Sequence, residues 1–308
     1  MGQQTEIWTF VLQVCFAVVG LISNGYITIL NAKVLIKVRR LSMWENLVTT
    51  LSFTNLCLQI TMAFNDIWAF YWPQFYILER IAKPFFVTGL FLVSSSLWIS
   101  TWLCVYRSMK ITNSQHKIIL WLQKHMPTIV PVLIIGSVLL AMVQSFSGIN
   151  DLFVVYRNMS SYQDNVSKIA VGFGSRCFCT IWLYVEFSSE AFILFLLATL
   201  TILSFLWKHV RNVKRGTNIR GNQQLYKIFQ AARTVTLLLL LCVTFYVAQC
   251  LLYTNVAAYG TLLNTISLLL ISMFPALNAV ILITGNQKLK QPLIEISKRW
   301  FSVCNNIV

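Results

Sequence analysis

A bundle of seven membrane-spanning helices is the fold this sequence predicts, and three observations predict it. Hydrophobic residues fill 57% of the 308 positions and charged residues only 11%, more apolar surface than a water-soluble core can hide. The apolar residues gather in seven runs, each close to the roughly 20 residues that cross a hydrocarbon layer about 30 Å thick. Basic residues cluster in alternate connections between those runs, as topology in a membrane requires. The expected class is an all-α membrane protein in which 1–308 forms a single seven-helix domain.

The runs cover approximately 8–35, 47–70, 84–106, 127–146, 181–207, 234–253 and 261–284, with 285–308 as a tail. The first follows MGQQTEIWTF, which carries no Lys or Arg, and it is too long for a signal-peptide core and lacks a small-residue cleavage site. It reads as a retained helix that also acts as a signal anchor. Met1-Gly2 opens a myristoylation pattern, but no Ser or Thr follows at the required position, so no lipid chain is expected there.

Orientation follows from the cations. With the N-terminus outside, the inner segments hold Lys33, Lys37, Arg39 and Arg40, then Arg107, Lys110, Lys117 and Lys124, then seven from Lys208 to Arg233, then Lys288, Lys290, Lys298 and Arg299. The outer segments hold only Arg80, Lys83, Arg157, Lys168 and Arg176 of the 24. The net charge of +15 is thus mainly a property of the cytoplasmic face, where the C-terminus also lies. Membrane lipid is the first partner of such charge, and nucleic acid is not, because the cations are interleaved with spans. The third inner loop, KHVRNVKRGTNIRGNQQLYK, is the densest and would attract either a G protein or anionic lipid.

The eight cysteines are not a disulfide framework. Cys15, Cys57, Cys104, Cys242 and Cys250 lie in spans, Cys304 in the tail, and Cys177 and Cys179 at the end of the long connection after the fourth span. No Cys lies between Lys83 and Ser100, so that connection cannot be tied to the outer end of the third span. The same connection carries the sequons Asn158-Met159-Ser160 and Asn165-Val166-Ser167 on the side that the charge rule places outside, making both candidate glycosylation sites.

Polar groups inside spans must find partners or a wet cavity. Asn24, Asn55 and Asn278 lie at depths that would let them share a water-mediated network in the bundle interior. Pro275 removes a backbone bond within the seventh span and creates a kink or hinge. Pro131, near the start of the fourth, shapes an end.

Toward the outer ends, aromatic and acidic residues collect: Asp66 and Trp68 on the second span; Phe91, Trp98 and Trp102 on the third; Glu186 and Glu190 on the fifth; Phe245, Tyr246, Gln249 and Tyr253 on the sixth. Phe91, Trp98 and Trp102 recur at spacings that keep them near one helical face. Aromatic walls with a few acids suit an amphipathic, including a cationic, small organic ligand. No enzyme signature competes with that reading. His116, His125 and His209 all lie in inner loops away from paired carboxylates, and no metalloprotease, serine-hydrolase or phosphate-loop pattern occurs. No metal-ligand spacing beyond Cys177-Phe178-Cys179 is present, and no cofactor is expected.

Four stretches carry a family resemblance. Gly20 to Ile27 with Asn31 is similar to a GNxFI pattern; Thr101 to Tyr106 with Lys110 to Asn113 resembles ATWLSVFYxLKIAN; Ser204 to His209 resembles SLWxH; and Ile281 to Gln291 resembles LIxGNxKLKQ. These are patterns of the bitter taste receptors, the type 2 taste receptor family, and they run in order from the first span to the tail. The resemblance implies a G-protein-coupled receptor in the plasma membrane. It would detect bitter small organic compounds and activate a gustducin-type heterotrimeric G protein, alpha with beta-gamma. It implies ligand contact by Trp98, with Trp102, Asn65 and Phe245 at pocket positions. Opening of the inner ends is expected to expose Tyr106 to Lys110 and the basic third inner loop, with His209, Arg211, Lys214 and Arg215, to the G protein.

The sequence also departs from the pattern. Asn55 stands where the family usually has Arg, Asn278 replaces the His of its HS pair, Ala191 replaces its fifth-helix Pro, and Leu268 occupies the seventh-helix position where some members carry an acid. These are the marks of a divergent member, and the family's Arg-centred activation lock is not carried over. Another chemosensory receptor of vomeronasal type 1 or olfactory kind shares the topology, but the D/E-R-Y and NPxxY motifs of most rhodopsin-like receptors are missing. A seven-helix transporter would show similarity between its first and last three spans, and none is visible.

Overall fold

Hydrocarbon offers the backbone no hydrogen-bond partner, so each apolar run must close its own amide ladder, and a helix does this. The computed structural model describes residues 3–72, 79–111, 117–147, 152–157, 168–173, 178–214, 219–254, 256–257 and 261–305. Its helices are α1 (Gln3–Val38), α2 (Met43–Tyr71), α3 (Glu79–Ile111), α4 (Lys117–Ser147), α5 (Phe178–Lys214), α6 (Ile219–Tyr253), α7 (Leu262–Gly285) and α8 (Gln287–Asn305). The first seven are long and apolar enough to cross a membrane, and the expected seven-helix bundle is present.

The helices overrun the apolar stretches at both ends of several spans. The clearest case is α4, which starts at Lys117, so Pro127 and Pro131 lie inside it and Pro131 does not shape its end. The start of α2 is set by a capping box: Ser42 Oγ accepts from the Glu45 N–H, and the Ser42 N–H donates to the Glu45 carboxylate at 2.8 Å. Between α4 and α5, β1 (Leu152–Arg157) and β2 (Lys168–Phe173) form an antiparallel hairpin with Leu152 opposite Phe173 and Arg157 opposite Lys168. The hairpin was not expected from the sequence, where only the spans had a strong periodic signal.

Burial is greatest on α3 and α7. Small hydroxylated residues let α3 approach its neighbours closely and bond to four of them. Ser94 Oγ donates to Gln144 of α4 at 2.9 Å, Ser96 Oγ to Asn55 of α2 at 2.5 Å, and Thr101 Oγ1 to the Ala191 carbonyl of α5 at 3.1 Å. Ser100 Oγ accepts from Asn278 of α7 at 3.3 Å. The bundle closes as α1 packs on α2 and α7, and α6 on α5 and α7, whereas α4 and α5 barely touch.

The tail, read from the sequence without structure, forms α8. Asn286 breaks the α7 ladder and accepts from the Lys288 N–H through Oδ1 at 3.0 Å, starting the new helix. Tyr26 of α1 donates to the Leu289 carbonyl at 2.8 Å, and Lys288 pairs with Glu45 at 3.2 Å, so α8 is held against α1 and α2. Beside this joint α6 comes very close to α7. A Cβ at Gly285 would stand 2.3 Å from Thr234 Cγ2, an atom that a stiff β-branched side chain cannot swing away. Gly285→Ala should therefore cost about 1–3 kcal/mol by overpacking and lower the denaturation midpoint in detergent. Adding Thr234→Ala should recover most of the loss; an unchanged midpoint in the single variant would mean the two helices part freely.

Candidate functional site

Two amides clasp α7 on either side of its proline. Pro275 leaves the carbonyl one turn earlier without its helical donor. One residue on, the Ser272 carbonyl accepts from Gln59 Nε2 of α2 at 3.2 Å, and the Pro275 carbonyl accepts from Asn24 Nδ2 of α1 at 3.1 Å. Gln59 is 1% exposed and crosses directly over Gly20, where a Cβ would meet its amide at 2.4 Å. Gly20 is the gap through which α2 reaches α7. The sequence reading missed Gln59, because nothing local to it announces a partner 213 residues away.

Asn24, Asn55 and Asn278 do not bond one another. Each is buried and bonds a helix other than its own: Asn24 bonds α7, and Asn55 and Asn278 both bond α3. Asn24 Oδ1 and Asn55 Nδ2 have no hydrogen-bond partner among the described residues. Asn278 and Ser100 line a small apolar cavity with Cys104, Cys242 and Phe274 between α3, α6 and α7.

The aromatic residues form separate groups. Trp98, 6% exposed, stacks on Trp102 with centroids 5.9 Å apart and meets Phe187 of α5 at 5.1 Å. Trp102 donates its indole N–H to Ser137 of α4 at 2.9 Å, whereas the Trp98 Nε1 has no partner among the described residues. On the other flank of α5, Phe192 stacks on Tyr246 at 4.3 Å and the Tyr246 hydroxyl meets Ser189 at 2.8 Å. One turn further along α6, Gln249 Nε2 donates to Tyr253, whose ring stacks on Tyr184 at 5.0 Å. Phe245 is fully buried and stacks on Phe274 of α7 at 3.9 Å, a core contact. Phe187, Ser189 and Phe192 were missed by the sequence reading, although their flanking of Glu186 and Glu190 would have exposed them to a wheel projection.

Other candidates stand apart from these groups. Phe91 is half-buried on the Trp98 side of α3. Asn65 and Asp66 are half-buried on α2 and hydrogen-bonded to each other. Glu186, Glu190 and Leu268 are exposed. Asn158, Asn165 and Arg215 lie outside the described residues.

At the end of the bundle opposite the N-terminus, cations rest on aromatic rings. Arg107 of α3 lies 4.1 Å over Trp44 of α2, Lys110 5.6 Å over Tyr106, and Arg211 5.1 Å over Trp207. His209 and Lys214 belong to the last turns of α5.

Seven membrane-spanning helices, buried amides at the centre and aromatic groups in one half define a bundle of the G-protein-coupled receptor class. Within it the chain belongs to the taste receptor family: the profile described as Taste receptor protein (TAS2R) matches residues 1–298. It is similar to taste receptor type 2 member 119 of Rattus norvegicus, 25% identical over 277 residues, covering 89% of this chain and 80% of the relative. It is also similar to member 40 of Gallus gallus, 23% identical over 289 residues and 93% of each chain. Member 1 of Pan paniscus is 26% identical over 297 residues, 92% of this chain and 93% of the relative. The chain is accordingly a multi-pass membrane receptor of the bitter taste type, and its partners are a small molecule and a G protein.

The clasp on α7 yields a stability prediction. Asn24→Leu removes the bond between α1 and the Pro275 carbonyl and should cost about 0.5–1.5 kcal/mol, seen as a lower denaturation midpoint in detergent. Thr50→Ala, which removes an exposed hydroxyl of α2, should leave the midpoint within experimental scatter; equal effects of the two would remove the clasp from the account.

Proposed function

We propose that the whole chain works as one seven-helix unit in the plasma membrane, with its N-terminus outside. A bitter, amphipathic organic compound binds against the Trp98 group that α3 and α5 form, and a gustducin-type G protein couples at the basic end. The observation that carries the ligand reading is the Trp98 indole N–H, buried in an aromatic cluster without an acceptor among the described residues. A buried donor without a partner is costly, and a ligand acceptor relieves that cost. Aromatic faces on Trp98, Trp102 and Phe187 supply apolar and cation-π contact. Only a ligand that favours one arrangement of the helices shifts the receptor population. The close α6–α7 approach at Gly285 and the proline clasp are the contacts such a shift would rearrange. Tyr106, Lys110, His209, Arg211, Lys214 and Arg215 would meet the G protein, and Asn158 and Asn165 would carry glycans.

Calcium release in cells expressing the chain with a gustducin-chimeric G protein, challenged with a bitter-compound panel, tests the reading. Trp98→Ala should raise the half-maximal agonist concentration at least about tenfold, one tenfold step corresponding to 1.4 kcal/mol, with surface expression unchanged. Equal potency for every agonist would take Trp98 out of the pocket. An epitope at the N-terminus should bind antibody on intact cells, and labelling that requires permeabilisation would reverse the orientation.

A further inference from the structure

The two acids of α5 do not face the α5–α6 aromatic group. Successive helical residues are about 100° apart. Ala191 is fully buried in the core beside Thr101 of α3, whose hydroxyl reaches its carbonyl, and Phe192 turns toward α6, where it stacks on Tyr246. Glu190, one residue before Ala191, is therefore turned to the opposite flank, and Glu186 lies one turn along the same side. That flank adjoins α4, and α4 and α5, although both pack on α3, barely touch. The result is a seam open to lipid.

Trp98 lies in the floor of this seam. On α3, Ser94 and Trp102 bond to α4, Thr101 bonds to α5, and Trp98 falls between them in rotation while touching Phe187 of α5. The floor is thus aromatic, with one indole donor that has no partner among the described residues. Glu190 stands at hydrocarbon depth. It is within roughly 8 Å of the middle of its spanning segment at 1.5 Å rise per residue, the segment being Ile181–Lys208. Both carboxylates are exposed, and neither has a hydrogen bond or ion pair among the described residues. An ionisable group in that position is expensive and marks a binding path by default.

We propose that the α4–α5 seam is a lateral binding site for a lipophilic organic cation that arrives from the bilayer. The cationic head pairs with Glu190, with Glu186 nearer the surface as an earlier station, and stacks over Phe187 and Trp98. The apolar body lies along the seam. The inference rests on Trp98 as a ligand contact but adds a charge requirement and a route that agonism alone does not.

The test uses the full chain in phosphatidylcholine nanodiscs. Tryptophan fluorescence is titrated with a nitroxide-bearing dodecyl quaternary ammonium and with a neutral nitroxide-bearing dodecyl ester. The cation should quench saturably at a concentration at least about tenfold below the ester, a preference that Glu190→Gln abolishes and Glu190→Asp retains. Trp98→Phe should reduce the saturable amplitude. Equal quenching of the wild-type protein by both probes overturns the proposal without any variant having to fold, and a Glu190→Gln protein with unchanged cation preference also overturns it. A silent calcium assay with cation-selective quenching would sink the agonist reading and keep the seam; agonist responses with no cation preference would do the reverse.

Discussion

Water is absent at hydrocarbon depth, so polar atoms there are favoured when they pair within the protein, and α3 is where that demand organises the bundle. Its serine and threonine hydroxyls bond to α2, α4, α5 and α7 within eight residues, from Ser94 to Thr101. These side chains are small enough to admit neighbouring backbones and polar enough to bind them, a combination that aliphatic residues lack. Because lipid tails compete for apolar surface as well as any leucine does, close packing and hydrogen bonds, and not hydrophobicity, decide which helices meet.

The same logic fixes α7 around its proline. Pro275 leaves one carbonyl of the preceding turn without its helical donor, and amides from two other helices bond carbonyls next to that gap. Asn24 and Gln59 thus tie α1 and α2 to the proline turn, and Gly20 leaves the space Gln59 passes through. At the far end Gly285 lets α6 lie against α7, and Asn286 turns the chain into α8. The signature residues around 285–290 thereby acquire a physical purpose: one close approach, one helix start, and the Leu289 carbonyl that Tyr26 holds.

Function follows from the polarity of the two halves. One half gathers rings around α5, with unsatisfied polar atoms among them; the other presents cations held over Trp44, Tyr106 and Trp207. Between them lie buried amides that bond helix to helix and the small cavity beside Asn278, which several helices line. A receptor needs that coupling, because a contact change confined to one half would not reach the other.

Hydropathy is local and one-dimensional, so the sequence by itself determined the number of spans, the concentration of cations in alternate connections and the family signatures at Gly20–Asn31 and Ile281–Gln291. It could also place Trp98 and Trp102 on one face, since helical rotation is fixed by spacing. What it could not decide was which helix each face meets. The partner of Gln59, the separation of Tyr246 from Trp98 onto opposite flanks of α5, and the exposure of Glu186 and Glu190 depend on how helices far apart in sequence are rotated against one another. The hairpin and α8 escaped notice for a related reason: the hairpin is held by pairing between strands, and α8 by its contacts with α1 and α2, neither of which leaves a long apolar run to read. Those relations belong to tertiary packing, where small residues and buried hydrogen bonds set distances that composition does not encode.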